Sequence, residues 1–567
     1  MMNKVLSVSI FLMLLFAWSS SIMLGLSWDE YFHHINGLVR YNFIISLGEI
    51  QKYEFRNNKF YPGLYDTISY ALTQIVFFID KKFYVNNIDV LMHIVNVSFS
   101  SLSILGLYLL TKKLFNKKIA LITSLLTLLN PFFFGHMSIN SKDIIIFFSF
   151  IWFSYYFYLY CTENEKILKN LIFSSFFIGF GCGVRLTFLV VIFPVVIIGF
   201  YYLIRRFKTD YSYLIKRLLK HTLIAFFITV LLIILCWPHF IVEIGKGNFL
   251  SFLSLVVKNT INWLDGPKIG LINGEFYEVF NTPKSYFLSV VVYRLPFYFT
   301  LLVTLSYVLF FFKRTNLSGE IKNLNSNFLL INAVAFFPVV LALFLKVNIY
   351  DNLRLFLFIV PLFSMMAAIS LNYFFYSFRI SIFSKTILSF VSILFLLSLY
   401  RFALLTPYQY TYVNYSYPKI EDSKGKFEHD YWGASYKELV KKIALKYKKE
   451  EIKNFKIADC GGGDYTLIYY LNKYLGVKKT YSGIDVLDQA THIVMNNRAF
   501  LDIFENEHVK DLINRKDASM LITDMEKVTR APNIMQSCFD YKNFSGEDVV
   551  TVSRNGLPLT IFREIKK

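Results

Sequence analysis

The stretch KVLSVSIFLMLLFAWSSSIMLGLSWDEYFHH (residues 4–34) decides the class of fold. Its first part is apolar over about twenty residues, the length that a helix needs to cross the hydrocarbon core of a bilayer. Directly behind this run stand two adjacent carboxylates, Asp29 and Glu30. Charge is costly at a bilayer edge, so these acids either end the span or serve a chemical purpose. The rest of the chain decides between these two interpretations.

The composition of the whole chain is typical of a polytopic membrane protein. Of 567 residues, 55% are hydrophobic and only 17% are charged, whereas soluble domains carry about 25% charged residues. The formal net charge is +20. Most of the basic residues stand in short loops between apolar runs, which indicates membrane topology and argues against a nucleic-acid partner. Cleavage of residues 1–26 as a signal peptide is the alternative, but the many further spans favour a retained first helix.

About eleven apolar segments are predicted to cross the bilayer as helices. A further apolar segment, 64–79, is assigned to the membrane interface. The predicted spans are 5–26, 88–110, 119–135, 143–160, 170–184, 186–204, 221–240, 286–312, 327–346, 354–376 and 385–404.

Basic clusters mark alternate loops between these segments. With eleven spans, all of the clusters lie on one side, and the positive-inside rule makes that side cytoplasmic. The N-terminus is then predicted in the cytoplasm of a cell with a cytoplasmic (inner) membrane, and the region after the last span is predicted outside. The clusters are TKKLFNKK (111–118), KILK (166–169), RRFK (205–208) with KRLLK (216–220), KR (313–314), and Arg379 with Lys385.

The loops on the other side carry acids, histidines and isolated cations at the ends of spans. Several such groups on one face predict a site, because ionisable residues at membrane depth are expensive and tend to be functional. An amphipathic helix over about 32–47 and another within 241–285 are expected to lie along the interface beside it. The loops are WDEYFHH (28–34), GHMSINSKD (135–143), GVR (183–185), WPHF (237–240) and NIYDNLR (348–354).

Residues 405–567 differ from residues 1–404 in their higher charge and few apolar runs, which predicts a small extracytoplasmic α/β domain. SYKELVKKIALKY (435–447) is predicted to be a helix that begins with a capping box, Ser435 to Glu438. FKIADCG (455–461) and THIVMNNR (491–498) are predicted strands. The five scattered cysteines show no metal-binding spacing, and pairing of Cys460 with Cys538 is open.

A lipid phosphate that carries a sugar would suit the outer face. Transfer of the sugar needs a base for the acceptor's proton, and the adjacent Asp29 and Glu30 are expected to raise each other's pKa toward a useful range. It also needs cations for the departing phosphate, and Lys142, Arg185 and Arg354 are available.

The order of these features resembles the GT-C class of membrane glycosyltransferases, specifically glycosyltransferase family 39. This family includes the protein O-mannosyltransferases and the bacterial lipid A aminoarabinose transferases, and its acidic pair follows the first span. Two further segments resemble a bacterial, phospholipid-carrier-dependent branch. The matching segments are Asp29-Glu30, FYPGLYD (60–66, with Gly63 in place of a second proline), NPFFFGHMSINSKD (130–143) and GFGCGVRLT (179–187), and for the bacterial branch YDNLRLFLFIVP (350–361) and FEHDYWGASYKELV (427–440).

The resemblance implies inverting transfer of a hexose or pentose from a polyprenyl-phosphate donor in the outer leaflet to a hydroxyl or amine of a protein, lipid or glycan. No cofactor or metal is expected, although a divalent cation bridging Asp29 and Asp143 stays an alternative. The expected catalytic residues are Asp29 (the base), Glu30 and Asp143, and the expected substrate-binding residues are Lys142, Arg185, Arg354, His136, Tyr61 and Asp351.

Simpler interpretations stand beside these. Asp29 and Glu30 could be a polar stop, Asp351 could only pair with Arg354, and the Asp430 segment could dock the outer domain on the membrane part. His33 and His34 are expected to be interfacial, since neighbouring helix positions point about 100° apart and cannot easily share a metal. A transporter or flippase of lipid-linked sugars is the alternative function. It is disfavoured because no internal repeat is visible and the polar residues avoid mid-span positions.

Overall fold

The chain folds into a helical membrane part followed by a region that contains a small mixed sheet. The computed structural model describes residues 2–50, 62–206, 211–235, 237–262, 269–312, 324–345, 349–378, 381–460, 464–477, 490–501, 535–537 and 545–566. Tyr61, Cys538 and the basic pair at 313–314 lie outside these ranges.

Long apolar runs and short polar breaks in the sequence produce a succession of helices in the membrane part. Pro131 and Pro238 stand at first helical positions, where a missing N–H costs nothing. The helices are α1 Met2–Met23, α2 Trp28–Ile45, α3 Leu64–Ile79, α4 Lys81–Leu114, α5 Lys117–Leu128, α6 Pro131–His136, α7 Asp143–Thr162, α8 Ile167–Cys182, α9 Phe188–Arg206, α10 Tyr211–Leu235, α11 Pro238–Gly245, α12 Phe249–Asn262, α13 Tyr286–Arg294, α14 Phe297–Phe312, α15 Leu324–Phe344, α16 Ile359–Ser377 and α17 Ile382–Leu404.

Eight helices in the described ranges are long and apolar enough to cross a bilayer, namely α1, α4, α7, α9, α10, α15, α16 and α17. The pair α13–α14 makes a ninth span if it is taken together, but it is bent by 117°. The bend falls at Pro296, which cannot donate the hydrogen bond of a helix interior. The predicted spans 119–135 and 170–184 fall on α5 and α8, which are shorter; the 12 residues of α5 rise only about 18 Å.

Helix α2 confirms the helix predicted from the amphipathic pattern after the first span, and α3 packs closely on it. Gly37 makes the approach feasible, because a Cβ there would lie 2.3 Å from the carbonyl oxygen of Asp66. Gly63 begins α3 with φ +75°, and a Cβ there would meet the side chain of Arg40. Glycine in place of the second proline of FYPGLYD therefore fits this turn.

A β-hairpin that the sequence analysis did not predict follows α12. Strand β1 (Ile269–Ile272) pairs antiparallel with β2 (Glu275–Glu278). Asn273 and Gly274 form the turn with φ +49° and +88°, and Asn-Gly between two apolar runs is a strong hairpin signal.

The C-terminal region confirms the predicted small α/β domain. Its sheet has the order β3-β4-β8-β7, with β3 parallel to β4 and the other two pairings antiparallel. The two strands predicted from sequence are β3 and β4. The elements are α18 Tyr436–Lys446, α19 Lys449–Asn454, β3 Ile457–Cys460, α20 Asp464–Leu475, β4 His492–Asn496, β5 Ala499–Leu501, β6 Met535–Ser537, β7 Gly546–Arg554 and β8 Leu557–Ile565.

The capping box predicted at the start of α18 is wrong, although the helix itself is present. The hydroxyl of Ser435 donates to the buried carboxylate of Asp430 instead of capping the helix. Glu438 accepts hydrogen bonds from Tyr408 and Arg554. A buried carboxylate that needs a donor thus competes successfully with the helix terminus.

The C-terminal region is hydrogen-bonded directly to the segment that joins α1 to α2. The backbone N–H of Gly25 donates to the Ala434 carbonyl at 2.9 Å, and that of Trp28 donates to the Trp432 carbonyl at 2.9 Å. The Tyr470 hydroxyl accepts from the N–H of Leu26 at 2.8 Å. These contacts fix where α2 begins and therefore where Asp29 lies. The domain boundary at 404/405 stays a prediction.

Candidate active site

The two adjacent acids at the start of α2 make different contacts. Glu30 is 1% exposed; its Oε2 accepts from the Ser27 N–H at 2.6 Å and from His93 Nε2 at 3.1 Å. It therefore closes the first turn of α2 and contacts α4. Asp29, one position earlier, points elsewhere. The Ser-x-x-Glu spacing of Ser27 and Glu30 is a capping-box signal that predicts this structural role.

A single guanidinium joins Asp29 to Asp143. Arg354 Nη2 lies 2.9 Å from Asp29 Oδ2, and its Nε lies 2.9 Å from Asp143 Oδ2. Arg185 Nη1 donates to the other oxygen of Asp143 at 2.7 Å. The structure thus brings together four of the residues predicted from sequence, and Arg354 stands between the two acids at which a bridging cation was the alternative.

Local hydrogen bonds orient Asp143. It is the first residue of α7, and its N–H donates to Asn140 Oδ1 at 2.9 Å. The Asn140 amide also donates to Asp143 Oδ2 at 3.0 Å. The NSKD sequence therefore forms a turn that holds the carboxylate toward Arg185 and Arg354.

The expectation that Asp29 and Glu30 raise each other's pKa is wrong for Asp29. Burial by itself raises the pKa of Asp29, but the charges of Arg354 and Lys142 outweigh it and hold the pKa well below its usual value. Asp29 is consequently ionised and paired in this state. It can become a stronger base only if its pairing with Arg354 weakens.

Three aromatic rings, two of them from the C-terminal region, surround the guanidinium of Arg354. Its Cζ lies 4.2 Å from the ring centroid of Trp432, 5.5 Å from that of Tyr350 and 5.7 Å from that of Tyr431. Asp430 accepts from Tyr410 and Ser435 and thereby holds this segment. The Asp430 segment docks the C-terminal region on the membrane part, as its simpler interpretation expects. It also forms one wall of the site.

Asp351 lies behind Arg354 in a strained position. Its φ is +51°, and its Oδ2 is 4.0 Å from Arg354 Nη1. Burial raises the pKa of Asp351 to about 6, and the charge of Arg354 opposes this only in part. The internal Asp351–Arg354 pair is therefore weaker than the bonds of Arg354 to the other two acids.

His136 packs among aromatic rings rather than beside the carboxylates. Its ring centroid is 4.6 Å from that of Phe132 and 5.8 Å from that of Trp432. Neither ring nitrogen has a hydrogen-bond partner in the part of the chain that the structure describes. His136 thus supports Trp432 from behind, and its contact with substrate stays a prediction.

Two basic side chains near the site were missed from sequence. His33 is 7% exposed rather than interfacial, and its Nδ1 lies 2.9 Å from Asp66 Oδ1. Arg498, from the C-terminal domain, lies over the rings of Tyr431 and Trp28 with Cζ 4.4 and 5.6 Å from their centroids. Asp66 was visible in FYPGLYD, but only the fold reveals its partner. In the described ranges, no three His, Cys, Asp or Glu side chains converge as a metal site would require.

Comparison with known proteins gives a family match over part of the chain. Residues 77–239 match the family model described as dolichyl-phosphate-mannose-protein mannosyltransferase. This match covers less than a third of the chain, but it confirms the resemblance to membrane glycosyltransferases of the GT-C class that the motif order indicated. No curated protein gives a match.

Solved structures similar to this chain include ArnT from Cupriavidus metallidurans in the apo state, with 11% identity, a TM-score of 0.47, and 99% of this chain and 98% of that chain covered. ArnT bound to undecaprenyl phosphate is matched with the same identity and TM-score, over 98% and 97%. An oligosaccharyltransferase from Archaeoglobus fulgidus is matched with 12% identity and a TM-score of 0.40, over 86% of this chain and 69% of that chain.

Proposed function

We propose that this protein transfers a sugar, with inversion, from a polyprenyl-phosphate donor to a hydroxyl or amine of a protein, lipid or glycan. The observation that carries this proposal is the Asp29–Arg354–Asp143 bridge with Arg185 beside it. A carboxylate that can receive a proton stands next to guanidinium groups that can bind a phosphate bidentately. The family match over residues 77–239 supports the reaction class.

In the proposed reaction, the acceptor's oxygen or nitrogen attacks the anomeric carbon of the sugar. The bond between this carbon and the phosphate oxygen breaks, and its electron pair leaves with the polyprenyl phosphate. Asp29 takes the proton of the acceptor. No redox step occurs, and the proposal includes no cofactor or metal.

Arg354 is proposed to exchange partners during this reaction. In the structure it donates to Asp29. The phosphodiester of the donor offers two anionic oxygens and competes for the same guanidinium, and its phosphate gains a second negative charge as the bond to the sugar breaks. When Arg354 turns to the phosphate, Asp29 loses its nearest cation and becomes a better base. Binding of the donor phosphate would thus activate the base.

The remaining predicted residues take supporting roles in this proposal. Arg185 and Lys142 bind the phosphate, and Asp143 orients both arginines. Glu30 is a positioning residue, since it fixes the first turn of α2. Tyr61 is a substrate-binding candidate from sequence alone.

The proposed location is the outer face of the cytoplasmic membrane, with the N-terminus inside. The basic loops of the sequence support this orientation. Cys460, in the C-terminal domain, is disulfide-bonded, which suits an oxidising extracytoplasmic compartment.

The function is tested with purified wild type in mild detergent. Polyprenyl-phosphate mannose, glucose, galactose and aminoarabinose are each supplied with a membrane extract as the source of acceptors, and free polyprenyl phosphate is measured by mass spectrometry. Release that depends on the extract supports transfer. If no donor is consumed, while labelled donor crosses the bilayer of vesicles that contain the protein, the protein is a transporter and the proposal fails.

A further inference from the structure

A second group able to bind a proton stands on α2, one helical turn after Asp29. Residues at positions i and i+4 of a helix share a face, with their Cβ atoms about 5–6 Å apart. His33 therefore lies on the same side of α2 as Asp29. Its imidazole is buried, and its Nδ1 is 2.9 Å from Asp66 Oδ1.

Asp66 is itself held in place. The amide of Asn36 donates to its second oxygen, Oδ2, and the close approach of α3 at Gly37 keeps the carboxylate against α2. A carboxylate that accepts from Nδ1–H fixes the tautomer of a neutral histidine and leaves Nε2 with its lone pair available. The arrangement is that of an oriented base.

The free end of this pair faces a small polar cavity. His33 Nε2 is buried and has no hydrogen-bond partner among the described residues, and the same holds for the hydroxyl of Ser141. Both residues line one cavity, together with Glu30, Tyr65 and Asp66. An unsatisfied buried polar atom costs about 1–3 kcal/mol. Two such atoms facing one cavity indicate a site that binds a polar ligand, a water molecule or a proton in transit.

We propose that His33, positioned by Asp66, accepts the proton that Asp29 has taken up and so restores Asp29 as a base after each transfer. This inference rests on the proposed function. Asp29 takes the acceptor's proton as the new glycosidic bond forms and the phosphate leaves. The proton then passes to His33 Nε2, directly or through one water at Ser141, and the imidazolium releases it to solvent before the next cycle. Imidazole is in general a stronger base than a carboxylate, so the direction of transfer follows ordinary side-chain chemistry.

Charged groups on two neighbouring helices surround His33. Asp29 on α2 and Asp66 on α3 interact electrostatically with its imidazole, and both carboxylates also interact with Lys142 at the start of α7. Tyr65 on α3 lines the same cavity without a charge.

The test measures kcat and KM over about pH 5.5–9 for the wild type, His33→Gln, His33→Ala and Asp66→Asn. We expect His33→Gln to lower kcat by roughly 10²-fold, at the lower end of the effect of a general acid–base group, with KM changed less than about threefold. The limb of the kcat profile that falls toward low pH should be lost. Added imidazole should restore part of the activity of His33→Ala, because it can enter the space that the ring leaves.

His221→Gln is the matched control. Like His33, His221 has one side-chain partner at Nδ1, the hydroxyl of Tyr160 at 2.8 Å. Tyr160 lies 17 residues along α7 from Asp143, which places this histidine roughly 26 Å from the site. Its kcat profile should be that of the wild type. Thermal unfolding of every variant separates loss of fold from loss of chemistry.

The outcomes distinguish the two proposals. If His33→Gln keeps the kcat and pH profile of the wild type while Asp29→Asn is silent, the role of His33 is overturned and the proposed function stands. If His33→Ala is slow, unchanged in its pH profile and not rescued by imidazole, His33 is only structural, and the inference again fails. If the wild type releases no polyprenyl phosphate from any donor, both proposals fall.

Discussion

Arg354 Nη2 donates a hydrogen bond of 2.9 Å to Asp29 Oδ2, across 325 positions of the sequence. The Arg354 side chain is only 2% exposed and that of Asp29 is 22% exposed, so the pair is enclosed mainly on the arginine side. A buried ion pair of this kind contributes little net stability unless both groups are fully satisfied, and here the same guanidinium also bonds Asp143. The arrangement is therefore better explained as a phosphate-responsive restraint on Asp29 than as a stabilising contact.

Arg354→Lys should abolish most activity although it keeps the charge. A lysine offers a point charge and cannot donate to Asp29 and Asp143 in the planar geometry of a guanidinium. We expect kcat/KM for polyprenyl phosphate release to fall by about 10²-fold or more. Lys385→Arg is the control, since Lys385 is an exposed residue in the first turn of α17. Activity of Arg354→Lys within a factor of three of wild type would contradict the partner exchange.

Trp432→Leu should weaken the site by removing the ring 4.2 Å from Arg354 Cζ. Cation–π contacts are worth about 0.5–2 kcal/mol, so kcat/KM should fall by roughly 2–30-fold. Trp18→Leu is the matched control, since Trp18 lies on α1 and is 37% exposed. Equal activities of the two variants would show that the outer segment contributes only docking.

Asp89→Asn should destabilise the protein strongly. Asp89, on α4, is fully buried and forms ion pairs at 3.0 Å with both Lys437 and Lys473 of the C-terminal domain. Removing one partner of a buried set leaves uncompensated charge and costs about 3–5 kcal/mol. In thermal unfolding, Lys113→Ala is the comparison, because the Lys113–Glu163 pair is exposed and such pairs contribute about 0–1 kcal/mol. Equal losses would contradict tight docking of the domain on α4.

Asp351→Asn should stabilise the protein near neutral pH. Burial raises the pKa of Asp351 from its ordinary 3.8 to about 6, so the folded state binds this proton more tightly than the unfolded state does. Stability is then fully present below about pH 4 and is lost as the pH rises through 6. Asparagine also tolerates a positive φ. We expect the variant to exceed wild type by on the order of 2 kcal/mol at pH 7.5 and to match it near pH 4. An unchanged difference between the two pH values would contradict a raised pKa.

The sequence predicts the helices of the membrane part well, because each long apolar run has one stable solution in a bilayer. It also places Asp29, Asp143, Arg185 and Arg354 on one face, since span ends and loop charges fix the side. The bend at Pro296 and the Asn273-Gly274 hairpin had signals in the sequence that a search for spans passes over.

The features that the sequence did not predict depend on contacts between segments that are distant along the chain. Nothing in the local sequence tells that Glu30 bonds His93, that Asp66 orients His33, or that Trp432 covers Arg354, because each pair joins distant segments. The capping box at Ser435 fails for the same reason, since Asp430 takes the hydroxyl. Polar side chains at buried positions follow the fold rather than local propensity.

The most direct test of the account compares Asp29→Asn with wild type in the release of polyprenyl phosphate from the donor that wild type uses. Asparagine keeps the size of the side chain but cannot take a proton. If Asp29 is the base, we expect the variant to lose about 10²–10⁴-fold in rate, with donor binding retained. If Asp29→Asn releases polyprenyl phosphate as fast as wild type, Asp29 is a polar stop after the first span, and the site described here is not the catalytic centre.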